Sequence, residues 1–556
     1  MTSSKRVVLA FLMSRAVARL FFMIKSELEK TFFTLLQRKE FKQAEALVKS
    51  GRNDLTTWEA GNYLGAIARV SGDTASAEAH FRAAASIDAC GVGPLSNLVN
   101  LLTEQGRQGE ALPYAEKAFK ISGSPKHMTA YLGCLLDQAK STEALEVIAS
   151  ASDEYQKSRD GVLVKVACLR QQGHSAQALE HLDQYLAFSP GDAAAIRMRA
   201  DTVGEKDSNA ALALYEESLR QGAANKQGSR QFATKWNMSL HLLRVRDFKR
   251  GWAYYDAGLQ PEVGTLGRKL PVNVRSLNLL GFDSELDLAK YTILSAEQGI
   301  GDQVLFMSVL QEAIKDGHRI LFICEPRLEP IVKRAFPSIE TVSQGILEYF
   351  EHYKLPINGF MPMGSLMGRY RPTIDSFLVN RKPYLVADRA KYNEFRNILK
   401  SSSDGKPVVG ISWKGGFWEN QQRNKTFDVT YWEQIVRSAG AVVNLQYGNV
   451  QEDLNTLRAS GVNVINFEKI DFKKDLDTWL ALAAACDGII SVSTALVHFA
   501  GAIGQKIAVL MPEKQGPWIL GIDDRRSIVY PNVYIFRPQS ESTLEDLANE
   551  VSRIIK

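Results

Sequence analysis

The sequence predicts a two-part chain of class α + α/β, with a solenoid of helix pairs followed by two doubly wound parallel-sheet domains. Three observations predict it. An alanine recurs at Ala44, Ala77, Ala111, Ala144, Ala178 and Ala211, at intervals of 33, 34, 33, 34 and 33 residues. From Tyr291 the helical period gives way to short apolar runs separated by helical segments. Two of those runs end in turns of small residues that lead at once into a helix, one at 294–302 and one at 486–505.

The alanine beat places a small residue at a recurring helix crossing, the mark of stacked helix pairs. Other positions keep phase with it. Glycine stands five residues before the alanine at Gly72, Gly106 and Gly173, and large apolar residues stand four after it at Phe81, Ile148, Leu182 and Tyr215. Pro125 and Pro190 close units. Such a stack has a concave face that suits an extended peptide or another protein; dimerisation through the repeats is the alternative. Residues 1–30 read as a separate N-terminal helix. Val7 to Ile24 is apolar but interrupted by Arg15 and Arg19, too short and too charged to span a bilayer. Val7–Met13 resembles a short signal core without a convincing cleavage site. Packing on the next helix is the plainer reading of this segment, membrane-surface contact the sharper one, and a start at Met23 would remove both. Repeats and connector run over 31–260. Within them Asn237 to Tyr255 still reads as helices around a turn at Arg246–Phe248, and the stretch from Pro261 to Leu280 is irregular.

The apolar runs Tyr291–Ser295, Arg319–Cys324, Val408–Trp413, Val442–Leu445, Val462–Phe467, Gly488–Val492 and Ile507–Met511 read as buried parallel strands. Helices are expected at Gln303–Asp316, Leu328–Phe336, Tyr431–Ala439, Thr478–Ala485 and Ala495–Ile503. A break near Asn380–Arg396 divides a first sheet domain, 270–385, from a second, 386–556. The second ends in an amphipathic helix, Thr543–Ile555. Ligands of open α/β sheets bind beyond the C-terminal strand ends, where both small-residue turns lie.

Composition excludes several classes. The 556 residues carry 67 basic and 62 acidic side chains, a net charge of +5 too mild to imply nucleic-acid binding. Cys90, Cys134, Cys168, Cys324 and Cys486 form no CxxC, as expected for reduced, buried thiols of a cytosolic protein. The eight histidines form no metal-ligand pair, so no protein-built metal site is expected.

Particular motifs carry family resemblances. Leu64-Gly65, Gly72, Ala77, Phe81 and Ala84 resemble the tetratricopeptide repeat. The run 297–306 (EQGIGDQVLF), then 410–415 (GISWKG), then 490–504 (ISVSTALVHFAGAIG), resemble the ADP-heptose-type glycosyltransferases, and more closely the bacterial fusions of tetratricopeptide repeats to such a domain. The connector 247–252 (DFKRGW) looks like the segment those fusions use. The resemblance implies a GT-B pair of Rossmann-like domains and metal-independent, inverting sugar transfer from a nucleotide-sugar co-substrate, with no further cofactor. One departure is Ser493, which stands where the family often has an aspartate near the donor sugar; a different or an anionic sugar would suit it.

Several residues are candidates for this chemistry. An inverting transfer needs a base. The resemblance assigns that role to Asp302; a helix N-cap is the competing reading, and Glu297 is the second candidate base. Gly299, Gly301 and Gln303 belong to the same donor-side turn. Lys414 and Gly415 are placed for a phosphate, with Arg423, Asn424 and Lys425 completing the pocket. Ser491, Ser493, Thr494 and Ala495 open a helix that receives the donor or merely cap it. His498 either touches the nucleotide or is a hydrogen-bonded core histidine. Gln446, with Tyr447, borders the nucleotide base. Asp475-Leu-Asp477 spells the DxD of metal-dependent transferases, but Asp477 reads better as an N-cap. Trp413, Trp418 and Trp518 read as core. The expected function is protein O-glycosylation of Ser or Thr; similarity to the repeat-fused flagellin glycosyltransferases implies flagellin as the acceptor and a CMP-activated nonulosonic acid such as pseudaminic acid as the donor. A glycan or lipopolysaccharide transferase and a non-catalytic scaffold are the alternatives.

Overall fold

The computed structural model describes residues 27–50, 55–204, 206–224, 231–260, 263, 267–268, 278–342, 355–415, 429–436, 439–511, 517–521, 525–537, 548–549 and 553. Residues 1–26, most of 261–277, the loop with Trp418 and Arg423–Lys425, and most of the C-terminal helix segment lie outside the described residues. The chain divides into two compact units, one ending at His181 and one beginning at Leu182.

In the first unit helices pair as antiparallel hairpins: Thr57–Ser71 with Thr74–Ala85, Val92–Glu104 with Gln108–Ser122, and Pro125–Asp137 with Ser141–Ala149. Each of the six periodic alanines, the last of them in the second unit, is 0% exposed, so the beat marks crossings where any larger side chain would push helices apart. The turn five residues earlier repeats in geometry more than in residue type. Gly72, Gly106 and Gly173 have φ of +94°, +76° and +80°, and Lys39 and Ala139 hold the same place at +61° and +60°. Local caps fix the starts. Thr56 and Glu59 form a reciprocal capping box, and Asp73 and Ser124 cap the next two helices that carry side-chain caps.

The second unit opens with the helices Ala193–Val203 and Ser208–Ala224. One more hairpin follows, Gln231–Arg244 and Phe248–Tyr255. Here Arg246 takes the positive φ (+72°), and Gly251, five residues later, replaces the alanine. A Cβ on Gly251 would lie 2.7 Å from Leu243 Cδ2. Gly251 comes 40 residues after Ala211, which is why the period hides it.

Two all-parallel sheets complete this unit. The first contains β1 (Tyr291–Ser295), β2 (Arg319–Ile323), β3 (Glu340–Thr341) and β4 (Ile357–Pro362) in the order β3-β2-β1-β4. The second contains β5 (Val408–Ser412), β6 (Ala441–Asn444), β7 (Val464–Ile465), β8 (Gly488–Val492), β9 (Ile507–Leu510) and β10 (Val533–Phe536) in the order β10-β9-β8-β5-β6-β7. The strand order reverses beside β1 and between β5 and β8, so the loops after these strands open at topological switch points. The sequence pattern missed β3, β4 and β10. β4 carries Gly359 at φ +153°, where a Cβ would lie 2.4 Å from Asn278 O and where the register against β1 shifts. The helix expected over 303–316 is broken into Ile300–Phe306, a 3-10 turn Met307–Val309 and Leu310–Lys315.

The expected break between sheets is a strap. The N–H groups of Tyr384 and Leu385 donate to Ala502 O at 2.8 and 3.1 Å, and the chain then enters the Asp388-capped helix Arg389–Ser401. Among the described residues no helix is long and apolar enough to cross a membrane.

All five cysteines are buried and unbridged. Burial pushes the thiols of Cys134, Cys168 and Cys324 up to about 12, and that of Cys486 higher. At pH 8 only about 10⁻⁴ of a thiol with that value is thiolate. A thiol reagent should therefore leave these four cysteines unlabelled in the native protein and label them after denaturation; stoichiometric labelling before unfolding would contradict the packing.

Candidate functional site

The strands β1 and β8 each end in a turn that starts a helix, and the two helix starts meet. After β1 the chain passes Gln298, held at φ +61°, and Gly299 becomes the N-cap of Ile300–Phe306. After β8 Thr494 caps the nine-residue helix Ala495–Ile503, accepting from Leu496 N–H at 3.3 Å. A Cβ on Gly301 would lie 2.8 Å from His498 Cδ2, 3.4 Å from His498 Nε2 and 3.4 Å from Ala495 Cα. Only a glycine allows this approach. The structure thus brings Gly299, Gly301, Asp302, Thr494, Ala495 and His498 together at one junction between the two sheets.

Asp302 is half-buried here, and its Oδ2 accepts from Gly299 N–H at 3.2 Å. The capping role is therefore present. The Asp302 charge is felt by two buried phenols. Burial first, then the Glu297 charge and the Asp302 charge, push Tyr255 far above the usual phenol range. Burial and its partner Tyr384, with Asp302 behind them, do the same to Tyr530.

Glu297 does not face a ligand, which corrects its expected role as second candidate base. Its side chain is 0% exposed, and both oxygens are bound by Arg268, whose Nε and Nη2 donate at 2.6 and 2.8 Å. Gly364 N–H also donates to Glu297 Oε1 at 2.5 Å. Arg268, itself fully buried, donates further to Asp256 Oδ1 at 2.5 Å and Ser365 Oγ at 3.0 Å, and stacks 4.5 Å from the Tyr255 ring centroid. Gln298 donates to the Tyr255 hydroxyl at 3.2 Å. The turn before Asp302 thus hangs from the connector helix and from the start of the Met363–Tyr370 helix. Nothing in the irregular sequence around Arg268 signals this.

Three other candidates, Gln303, Ser491 and Gln446, turn inward. Gln303 is 8% exposed and accepts from Glu325 N–H at 3.4 Å. Ser491 is 0% exposed and donates to Val492 O at 2.7 Å. Gln446 Oε1 accepts from Ser412 Oγ and Lys414 N–H, both at 2.9 Å, so its amide braces two strand ends and does not border a base. Lys414 Nζ lies 2.5 Å from Asp453, which also accepts from Trp413 Nε1 at 3.1 Å. Gly415 is buried and Ser493 half-buried. Arg423, Asn424 and Lys425 lie outside the described residues. The helix Leu476–Ala485 is capped by Asp475, not by Asp477 as expected. Asp477 instead accepts from Arg334 and Lys391. Among the described residues no group of three His, Cys, Asp or Glu side chains is placed to hold a metal ion.

No family model matches the chain. Protein FlbA of Caulobacter vibrioides is 29% identical over 403 residues, 68% of this chain, and the match spans 64% of that relative, just under two thirds of its length. Among solved structures, the ADP-heptose lipopolysaccharide heptosyltransferase II of E. coli is 15% identical over 48% of this chain and 98% of its own, with a TM-score of 0.35. The O-GlcNAc transferase of Thermobaculum terrenum is 12% identical over 90% of this chain and 91% of its own, with a TM-score of 0.34. A tetratricopeptide repeat protein of Parabacteroides merdae is 15% identical over 42% of this chain and 92% of its own, at a TM-score of 0.35.

A buried ion pair stripped of one partner leaves an uncompensated charge, at about 3–5 kcal/mol. Arg268→Met and Glu297→Gln should each lower stability by roughly that amount in urea unfolding, and the double variant should lose less than the sum of the two. Additive losses would show that the two residues are not coupled.

Proposed function

We propose that the protein is a glycosyltransferase that moves a sugar from a nucleotide-sugar donor to a Ser or Thr hydroxyl of an acceptor protein. The observation that carries this reading is the approach of Gly301 to Ala495 and His498. It sets a carboxylate from one sheet beside a helix N-terminus from the other, at the strand ends where open α/β sheets take their ligands. In this reading the acceptor oxygen attacks the anomeric carbon, the bond to the donor phosphate breaks on the opposite side, and the Asp302 carboxylate takes the hydroxyl proton. The configuration inverts. The N-terminus of Ala495–Ile503 offsets charge growing on the leaving phosphate, with Lys414 and Gly415 bordering it. No metal is required.

The finer assignments rest on the sequence: flagellin as acceptor on the repeat face and a CMP-activated nonulosonic acid as donor follow from the resemblance, and a cytoplasmic site of action from the cysteine pattern. Ser493 in place of a carboxylate suits a donor that is itself an anion. Homodimerisation through the repeats is part of the same proposal.

The test uses the full chain. Melting temperatures with CMP, UDP, GDP and ADP identify the nucleotide, and mass spectrometry of flagellin incubated with CMP-pseudaminic acid reads the transfer. CMP should raise the melting temperature and the others should not. Asp302→Ala should lower transfer by about 10²–10⁴-fold while keeping the CMP shift. Transfer at near-normal rate in that variant would remove Asp302 as base; no shift with any nucleotide would overturn the reading as a whole.

A further inference from the structure

The two helices whose starts meet at the junction also share a cavity at their far ends. It is lined by Ser308, in the 3-10 turn that follows Ile300–Phe306, and by Gly501, in the last turn of Ala495–Ile503. Arg371 joins it from the first sheet domain, Asn380, Arg381 and Lys382 from the strap, and Tyr530 from the second sheet domain. The atom-free space among them, about 310 Å³, continues into open solvent. None of the lining residues is acidic.

Three groups in this space have hydrogen-bond donors left over. Ser308 Oγ is buried and has no hydrogen-bond partner. Arg381 is half-buried, and among the described residues its hydrogen bonding is confined to Nε, which donates to Phe377 O at 3.3 Å. Its two terminal nitrogens are left over. Lys382 is exposed and joins no ion pair among the described residues. The neighbouring polar groups are already used. Arg371 gives both terminal nitrogens to Glu312, Nη1 at 3.0 Å, and Asn380 Nδ2 donates to the same carboxylate at 3.0 Å. The Tyr384 and Tyr530 hydroxyls bond to each other at 3.0 Å. Burial, and then the charge of Arg526, make Arg381 hold its proton less firmly than an ordinary arginine. Arg526 itself lies 4.7 Å from the Tyr534 ring centroid. Two guanidinium groups near each other, with no carboxylate paired to either among the described residues, repel until an anion joins them.

We propose that this cavity binds a phosphate dianion, free or as the end group of a small phosphomonoester, between Ser308, Arg381 and Lys382. A ligand that meets a hydroxyl, a guanidinium and an ammonium has to offer acceptors and negative charge. Water meets the hydroxyl but leaves two cations unbalanced, and a carboxylate balances only one. A phosphate group carries close to two charges near neutral pH and has an acceptor oxygen for each of the three donors. Ser308 belongs to the first sheet domain, Arg381 and Lys382 to the strap, and the wall with Tyr530 to the second domain, so an occupied cavity holds the strap against both. The site is separate from the junction and does not depend on the proposed transfer reaction.

Full-length protein is titrated with sodium phosphate and, separately, with glycerol 3-phosphate at about pH 7.5, with chloride holding the ionic strength constant. The melting temperature should rise and saturate with at least one of the two, and the larger rise identifies the source, free phosphate or an ester end group. Arg381→Gln and Lys382→Glu should each weaken binding about tenfold or more, and Ser308→Ala about fivefold. Lys382 is exposed, so its substitution tests the site even where Arg381→Gln fails to fold. Hydrogen–deuterium exchange on the wild type locates the ligand: phosphate should slow the amides of 307–309 and 377–383 and leave those of 491–497 unchanged. A melting temperature that neither phosphate ligand raises above the chloride control, up to about 50 mM, overturns the proposal. So does an unaltered phosphate response in both charge variants, and so does slowed exchange confined to 491–497, which puts the phosphate at the junction instead. Loss of the CMP response with the phosphate response intact would count against the proposed function alone.

Discussion

A guanidinium with no exposed surface lies between the carboxylates of Glu297 and Asp256, and the turn that carries Asp302 hangs from one of them. Ion pairs of this kind add little net stability, because desolvation offsets most of the attraction. Here the pair fixes where the Glu297 side chain sits. Each oxygen of Glu297 has its donor, and the Gly364 N–H and the Tyr255 ring close the remaining space. With Glu297 held, Gln298 is kept in a left-handed conformation that favours glycine, and Gly299 and Asp302 follow at a set place and angle. The geometry of the junction is thus decided by residues that never face it.

The same cluster makes the last helical hairpin part of the α/β unit. Trp252 donates to Arg371 O at 2.7 Å and packs on Gly368, while Arg246 reaches Trp518 O at 2.9 Å. Trp518 meets Trp252, Phe248 and Phe377 edge-on. A change in the Phe248–Tyr255 helix would therefore be felt at Glu297 through Tyr255, Asp256 and Arg268. In physical terms, the hairpin that completes the repeat pattern is a wall of the domain that holds the candidate site.

At the junction, local structure and chemistry compete for the same groups. Asp302 caps a helix start, Thr494 caps another, and Ser491 bonds its own strand end. A hydroxyl with one proton committed to a backbone carbonyl has little left for a ligand.

Sequence alone determined the elements whose signal is local and repetitive. The alanine period, the apolar runs of β1, β5, β8 and β9, and the small-residue turns after β1 and β8 announce themselves because each depends on neighbours a few residues away. The edge strands β3, β4 and β10 gave no such signal, and the hairpin with Gly251 was hidden by a longer interval. Only the tertiary structure decided which polar candidates face the junction. Glu297, Gln303 and Gln446 have the right chemistry and the right spacing, yet each is turned inward by a partner distant in sequence, and Ser491 is buried on its own strand end. The converse holds for Arg268, which no motif marks. Its role arises from long-range packing, where burial removes water as a competing partner and leaves each polar atom to find its bond within the protein.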